Sequence, residues 1–141
     1  RGALGMVDWR LGGRVSSLLG AGRICGNRGE TVLIPARPRL TFEKLFLFGM
    51  GERAAFSLDA FDELVDRMFD TLTRARVRAS TCVLPGRTGG QLDAAIAMER
   101  FLEVARRHPE HDEITLVEPA DAQKTMMPLV ERDRRRARAK L

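Results

Sequence analysis

The sequence predicts an α/β fold: a three-layer sandwich in which helices cover both faces of a mixed, mostly parallel sheet. Three observations carry that expectation. Short apolar runs recur at Thr31–Ile34 (TVLI), Leu45–Phe48 (LFLF), Ala79–Leu84 (ASTCVL) and Glu113–Val117 (EITLV). They are too short for helices and are bounded by Gly, Pro or charge, as buried strands are. Longer stretches of helical periodicity separate the later runs, and that alternation points to crossovers in one sheet, right-handed where they join parallel strands. The central stretch Lys44–Gly51 (KLFLFGMG) passes from an apolar run into Gly49, Met50 and Gly51. A strand followed by a glycine pair is how an α/β domain ends a central strand at its functional edge.

Composition is that of an ordinary globular domain. Of 141 residues, 44% are hydrophobic and 30% charged, enough for one domain with its own core. No apolar run approaches the roughly 18–20 residues of a membrane span, and the first residues do not form a signal peptide. No membrane contact is expected. Cys25 and Cys82 stand far apart and match no metal spacing, so they read as reduced thiols in a cytoplasmic protein. The net charge is +5, but residues 131–141 (ERDRRRARAKL) hold six basic and two acidic residues and supply +4 of it. A nearly neutral body, residues 1–130, therefore precedes a basic tail, residues 131–141. Such a tail reads as a solvated extension, mobile or loosely helical, capable of weak, salt-sensitive contact with anions or nucleic acid.

Taken in order, residues 1–30 hold eight of the thirteen glycines. A helix is predicted from about Asp8 to Leu19, with Asp8 capping its start. Trp9, Leu11, Val15, Leu18 and Leu19 would form its apolar stripe, and Gly20 and Gly22 would stop it. Gly12 and Gly13 weaken it by up to about 1 kcal/mol each relative to Ala. The strand at 31–34 ends at Pro35, and 36–40 connects it to the central strand. Ser57 is a good N-cap for the clearest helix of the chain. There Leu58, Phe61, Leu64, Val65, Met68 and Leu72 share a face, with acids early and arginines late, complementing the helix dipole. After the strand at 79–84 comes the loop Pro85–Gly90 (PGRTGG), then a helix from about Gln91 to Arg107. His108–His111 (HPEH) forms its exit. After the strand at 113–117, Pro119 opens a last helix, redirected near Pro128, that runs into the basic tail. The expected core comprises Leu45, Leu47, Leu64, Met68, Val83, Ile96, Phe101 and Leu116.

Few residues suggest chemistry. PGRTGG lies between a strand and a helix, where Gly86, Gly89 and Gly90 can expose N–H groups to an anion, and Arg87 and Thr88 can add donors. It has neither the Lys-Ser/Thr of a phosphate-binding P-loop nor the spacing of a dinucleotide fingerprint. A tight turn between strand and helix is the preferred reading of it. His108 and His111 are the only histidines, and two ligands on a Pro-bearing turn read as a solvated loop before a metal site. No nucleophile-elbow pattern surrounds Ser16, Ser17 or Ser80. No catalytic residue, metal or cofactor is expected.

Two motifs carry a resemblance. Gly26, Gly29 and Glu30 in GNRGETVLI, followed by Leu45–Gly51, resemble the N-terminal domain of the leucyl aminopeptidase family. Members run from a GxxGE segment into a strand, then into an apolar strand ending in Gly-x-Gly, then into a long helix. The resemblance spans roughly residues 2–125. It implies a macro-domain-like α/β sandwich, a fold that elsewhere binds ADP-ribose. The family's catalysis is implied to sit in a separate C-terminal domain with two metals, for which this chain has no room, so no catalytic or metal residue carries over. The implied role is a non-catalytic binding and assembly module that self-associates or docks onto a partner protein. The alternative is a macro-like site for a nucleotide or ADP-ribose. Its ligand would lie on Gly49, Met50 and Gly51 and on Gly86, Arg87, Thr88, Gly89 and Gly90, provided those two strands are adjacent and parallel.

Overall fold

The computed structural model describes residues 2–141, which divide into two compact units, Arg1–Phe56 and Ser57–Leu141. The fold is α/β, with strands and helices where the apolar runs and the periodic stretches lie in the sequence.

In the first unit the N-terminal helix is split. α1 runs over Ala3–Arg10 and α2 over Arg14–Gly20. Between them Gly12 and Gly13 take φ of +68° and +78°, a region that glycine enters without steric cost and that no helix continues through. Asp8 consequently caps α2, not the helix in which it lies: its carboxylate accepts from the Val15 N–H at 2.7 Å, from the Ser16 N–H and from the Ser16 hydroxyl. Strands β1 (Thr31–Pro35) and β2 (Lys44–Phe48) then pair antiparallel, Leu33 opposite Phe46. Only residues 36–43 join them. That is too short for a parallel crossover, which needs about a dozen residues or more.

The second unit opens with α3 (Leu58–Arg74), where the Ser57 hydroxyl accepts from the Ala60 N–H at 3.1 Å as an N-cap should. β3 (Ala79–Cys82) and β4 (Glu113–Leu116) are parallel, in register from Ala79–Glu113 to Cys82–Leu116. Their connection passes through α4 (Ala94–Ala105) and is long enough for the crossover that parallel pairing requires. α5 (Ala120–Ala139) is one continuous helix through Pro128 and into the basic tail. The expected break at Pro128 is absent although that residue donates no backbone bond. Ion pairs from Arg106 to Asp133 and from Arg132 to Glu99 hold the helix beyond it against α4.

The four strands thus form two separate two-stranded sheets, where a single mostly parallel sheet was expected. The core lies mainly on α3 and α4. Phe61, Val65, Phe69 and Leu72 are buried on the first, and Ala97, Met98, Phe101 and Val104 on the second. Of the expected core only Phe101 is fully buried. Leu45, Leu47, Leu64, Met68 and Leu116 are half-buried. Val83 and Ile96 are exposed, because Ile96 lies off the stripe that Ala94, Ala97, Met98 and Phe101 turn inward.

Candidate functional site

The glycines after β2 meet the glycine segment before β1. The Gly49 N–H donates to the Glu30 carbonyl at 2.8 Å, and the Gly51 N–H donates to the Gly26 carbonyl at 2.9 Å. A Cβ at Gly49 would collide with the Asn27 carbonyl, and one at Gly51, where φ is +76°, would come within 3.2 Å of the Arg28 Cβ. Gly49 and Gly51 therefore permit close backbone approach. Glu30 completes the closure: its carboxylate accepts from the Cys25 N–H at 3.0 Å and from the Gly26 N–H. The two motifs that suggested a family in the sequence are thus packed on one another. Their N–H groups at Gly26, Gly49 and Gly51 are engaged within the chain. Met50 is half-buried.

The loop Pro85–Gly90 is closed by its own bonds, from the Gly90 N–H to the Arg87 carbonyl at 3.1 Å and from the Gln91 N–H to the Gly86 carbonyl at 2.9 Å. Gly86 is buried, while Thr88, Gly89 and Gly90 are exposed. Arg87 makes a bidentate pair with Glu118, with Nε to Oε1 and the terminal nitrogen to Oε2 both at 3.0 Å, and its other terminal nitrogen donates to the Leu92 carbonyl at 2.8 Å. The pair is largely shielded, the Glu118 side chain being 3% exposed. Its hydrogen bond to Glu118, with that carboxylate's charge, raises the Arg87 guanidinium above its ordinary pKa. The α4 N-terminus is capped by the Asp93 carboxylate, which accepts from the Ala95 N–H at 3.0 Å. The positive end of that helix therefore faces an acid of its own chain.

Arg87 thus joins the loop after β3 to the segment after β4, so the C-terminal ends of the two parallel strands are tied together. Glu118 escaped sequence reasoning. The signal available was its place one residue past the last apolar position of a strand, with an arginine in the loop that follows β3. Among the described residues β2 and β3 belong to different two-stranded sheets.

The two histidines do structural work, contrary to the solvated loop expected. His108 is 9% exposed, stacks on Phe69 with centroids 4.9 Å apart, and places Nε2 2.7 Å from Asp66. That hydrogen bond holds the Asp66 carboxyl below its usual range. His111 sets Nδ1 3.1 Å from the Val77 carbonyl and Nε2 2.9 Å from the Ser80 hydroxyl. A carbonyl can only accept, so Nδ1 carries a proton and donates to Val77, while Nε2 is hydrogen-bonded with the Ser80 hydroxyl. Among the described residues no group of three or more His, Cys, Asp or Glu is placed to hold a metal ion. Cys25 is exposed, and burial pushes the Cys82 thiol up to about 12, which keeps it protonated.

Comparison with known proteins covers the segment that holds Glu30 and Gly49. Residues 2–108 match the cytosol aminopeptidase family, N-terminal domain. A probable cytosol aminopeptidase of Thermosynechococcus vestitus is 32% identical over 92 residues, covering 65% of this chain and 18% of that protein. A probable cytosol aminopeptidase of Pseudomonas syringae pv. syringae is 34% identical over 98 residues, covering 70% of this chain and 17% of that protein. The chain spans less than a fifth of the length of the curated relatives it matches.

Proposed function

Because the chain belongs to the cytosol aminopeptidase family through its N-terminal domain, we propose that it is a non-catalytic assembly module of the cytoplasm, associating with itself or docking onto a partner protein. The observation that carries this reading is the family match over 2–108, which includes the Gly26–Glu30 and Gly49–Gly51 closure and falls in the N-terminal domain. Sheet geometry adds support. Each sheet has two strands, and a strand edge without a partner is a template for another chain. No helix among the described residues is long and apolar enough to cross a membrane. With the family reading goes a macro-domain-like, three-layer arrangement of helices and strands. The parallel β3–β4 crossover through α4 favours it.

Two measurements test the module. Light scattering after size exclusion should give a mass above 15.8 kDa, or the chain should elute with a partner; a strict monomer at high concentration and with every candidate partner defeats the assembly reading. The purified chain should not hydrolyse a leucyl-amide with added manganese or zinc, and turnover would defeat the non-catalytic one. The nucleotide or ADP-ribose alternative has less behind it, since Arg87 is tied to Glu118 and Asp93 caps α4. Micromolar calorimetric binding of ADP-ribose, ATP or NAD, lost on Gly89→Asp, would put it ahead.

A further inference from the structure

The net charge of the protein is concentrated at one helix end. Residues 134–141 hold five cations, Arg134, Arg135, Arg136, Arg138 and Lys140, and no acid; of 24 basic and 19 acidic residues in all, the remainder of the chain therefore holds nineteen of each. All eight residues are exposed, and none of the five cations makes an ion pair among the described residues. The stretch is nevertheless helical as far as Ala139. The helix dipole accounts for Arg136 and Arg138 in the last turn, but leaves Arg134 and Arg135 unexplained. This end also lies outside the residues that match the family, 2–108.

We propose that the C-terminal end of α5 is a helical arm that binds duplex DNA without sequence preference, lying in the major groove. The arrangement of the charges selects that partner. At about 100° per residue the five cations encircle the helix with no gap wider than about 120°. A flat anionic surface, whether membrane or acidic protein, meets one side of such a rod and leaves the rest unpaired. A membrane-surface helix also needs an apolar face, and residues 132–140 contain no apolar side chain larger than Ala. The major groove of B-form DNA is about 12 Å wide, admits an α-helix, and has phosphates along both walls. The A-form groove of double-stranded RNA is too narrow for it. Arginine predominates, and its planar fork suits phosphate oxygens.

The test is fluorescence anisotropy with the full chain and a labelled mixed-sequence DNA duplex between 50 and 200 mM salt. With all five cations engaged, log affinity should fall against log salt with a slope of about −4.5, a weakening of roughly 500-fold over that range. Two variants separate charge from fold: a chain ending after Asp133, which keeps the Arg106 pair, and a chain with Arg134, Arg135, Arg136 and Arg138→Gln, which keeps helix propensity. Both should lose the binding and its salt dependence while circular dichroism stays unchanged. The proposal is overturned by no binding at 50 mM salt, by equal binding of either variant, or by equal affinity for matched double-stranded RNA or phosphatidylserine vesicles.

Discussion

The two units are held together by different means. Between Gly2 and Phe56 the fully buried apolar side chains are Val15, Ile34 and Ala36. What fixes that unit is backbone geometry: the turn at Gly12 and Gly13, the Asp8 cap on α2, and the closure of Gly26–Glu30 on Gly49–Gly51. Between Ser57 and Leu141 thirteen apolar side chains are buried, among them Phe61, Phe69, Met98 and Phe101, and dispersion and hydrophobic burial carry the load. Such a difference predicts how each fails. A unit held by packing suffers most from cavities; a unit held by close backbone approach suffers from a single added methyl.

The largest expected effect is therefore a cavity in the second unit. Phe69 is 1% exposed and touches Phe101, His108 and His111. Phe69→Ala should cost about 3–5 kcal/mol, read as a fall in the urea midpoint. A loss below 1 kcal/mol would mean that packing does not dominate there. Arg87→Ala comes next, at about 3 kcal/mol, because it leaves the shielded Glu118 carboxylate without its partner. Glu118→Gln with Arg87 intact should cost less, since an amide still accepts one of the two bonds.

Gly49→Ala breaks the comparison from the other side. Its methyl would strike the Asn27 carbonyl, and relief requires the Gly26–Glu30 segment to move, at about 1–3 kcal/mol. Hydrogen exchange should show protection lost over residues 25–51 and kept on α3 and α4. Equal loss in both would show that the units do not fail independently.

The same contrast explains what the sequence revealed. α3 was legible from Ser57 to Arg74 because a strong cap and a long 3.6-residue period agree. Its inward face was read about one position off: Phe69, in series with Phe61 and Val65 at four-residue steps, was passed over for Leu64 and Met68. The α1–α2 break was hidden because the Gly12–Gly13 pair was weighed as a cost to helix propensity; its positive φ makes it a turn. Antiparallel pairing of β1 and β2 could have been inferred from the eight-residue link alone. Of the candidate site, the glycines were visible but their partners were not. Asn27 at Gly49 and Glu118 at Arg87 are contacts between distant residues, and no local pattern announces them.

The smallest effect concerns acid. Carboxyls sit below their ordinary range in both units, Asp8 in the first and Asp66 and Glu110 in the second, for different reasons. Asp8 is held low first by the Ser16 hydroxyl, then by the Val15 and Ser16 N–H groups. Asp66 is held low first by its hydrogen bond to His108, then by the charges of His108 and Arg107. Asp70 and Glu110 also face His108, at 3.9 and 3.5 Å, and share that imidazole with Asp66. A carboxyl whose folded pKa lies below its unfolded value contributes stability above the unfolded value of about 3.8, and that stability is lost as pH falls through the folded value. Both units should therefore weaken below about pH 4. The Asp8 and Asp66 carboxyls are solvent-accessible, so each contribution is small and screened. Asp66→Asn should flatten the acid loss of amide protection on α3 and α4 alone, and Asp8→Asn should flatten it at α2 alone. Salt separates the two causes: 1 M sodium chloride should reduce the Asp66 effect, which is partly coulombic, and leave the Asp8 effect, which is made of hydrogen bonds to neutral donors. Equal salt sensitivity at both would remove the electrostatic distinction drawn between the units.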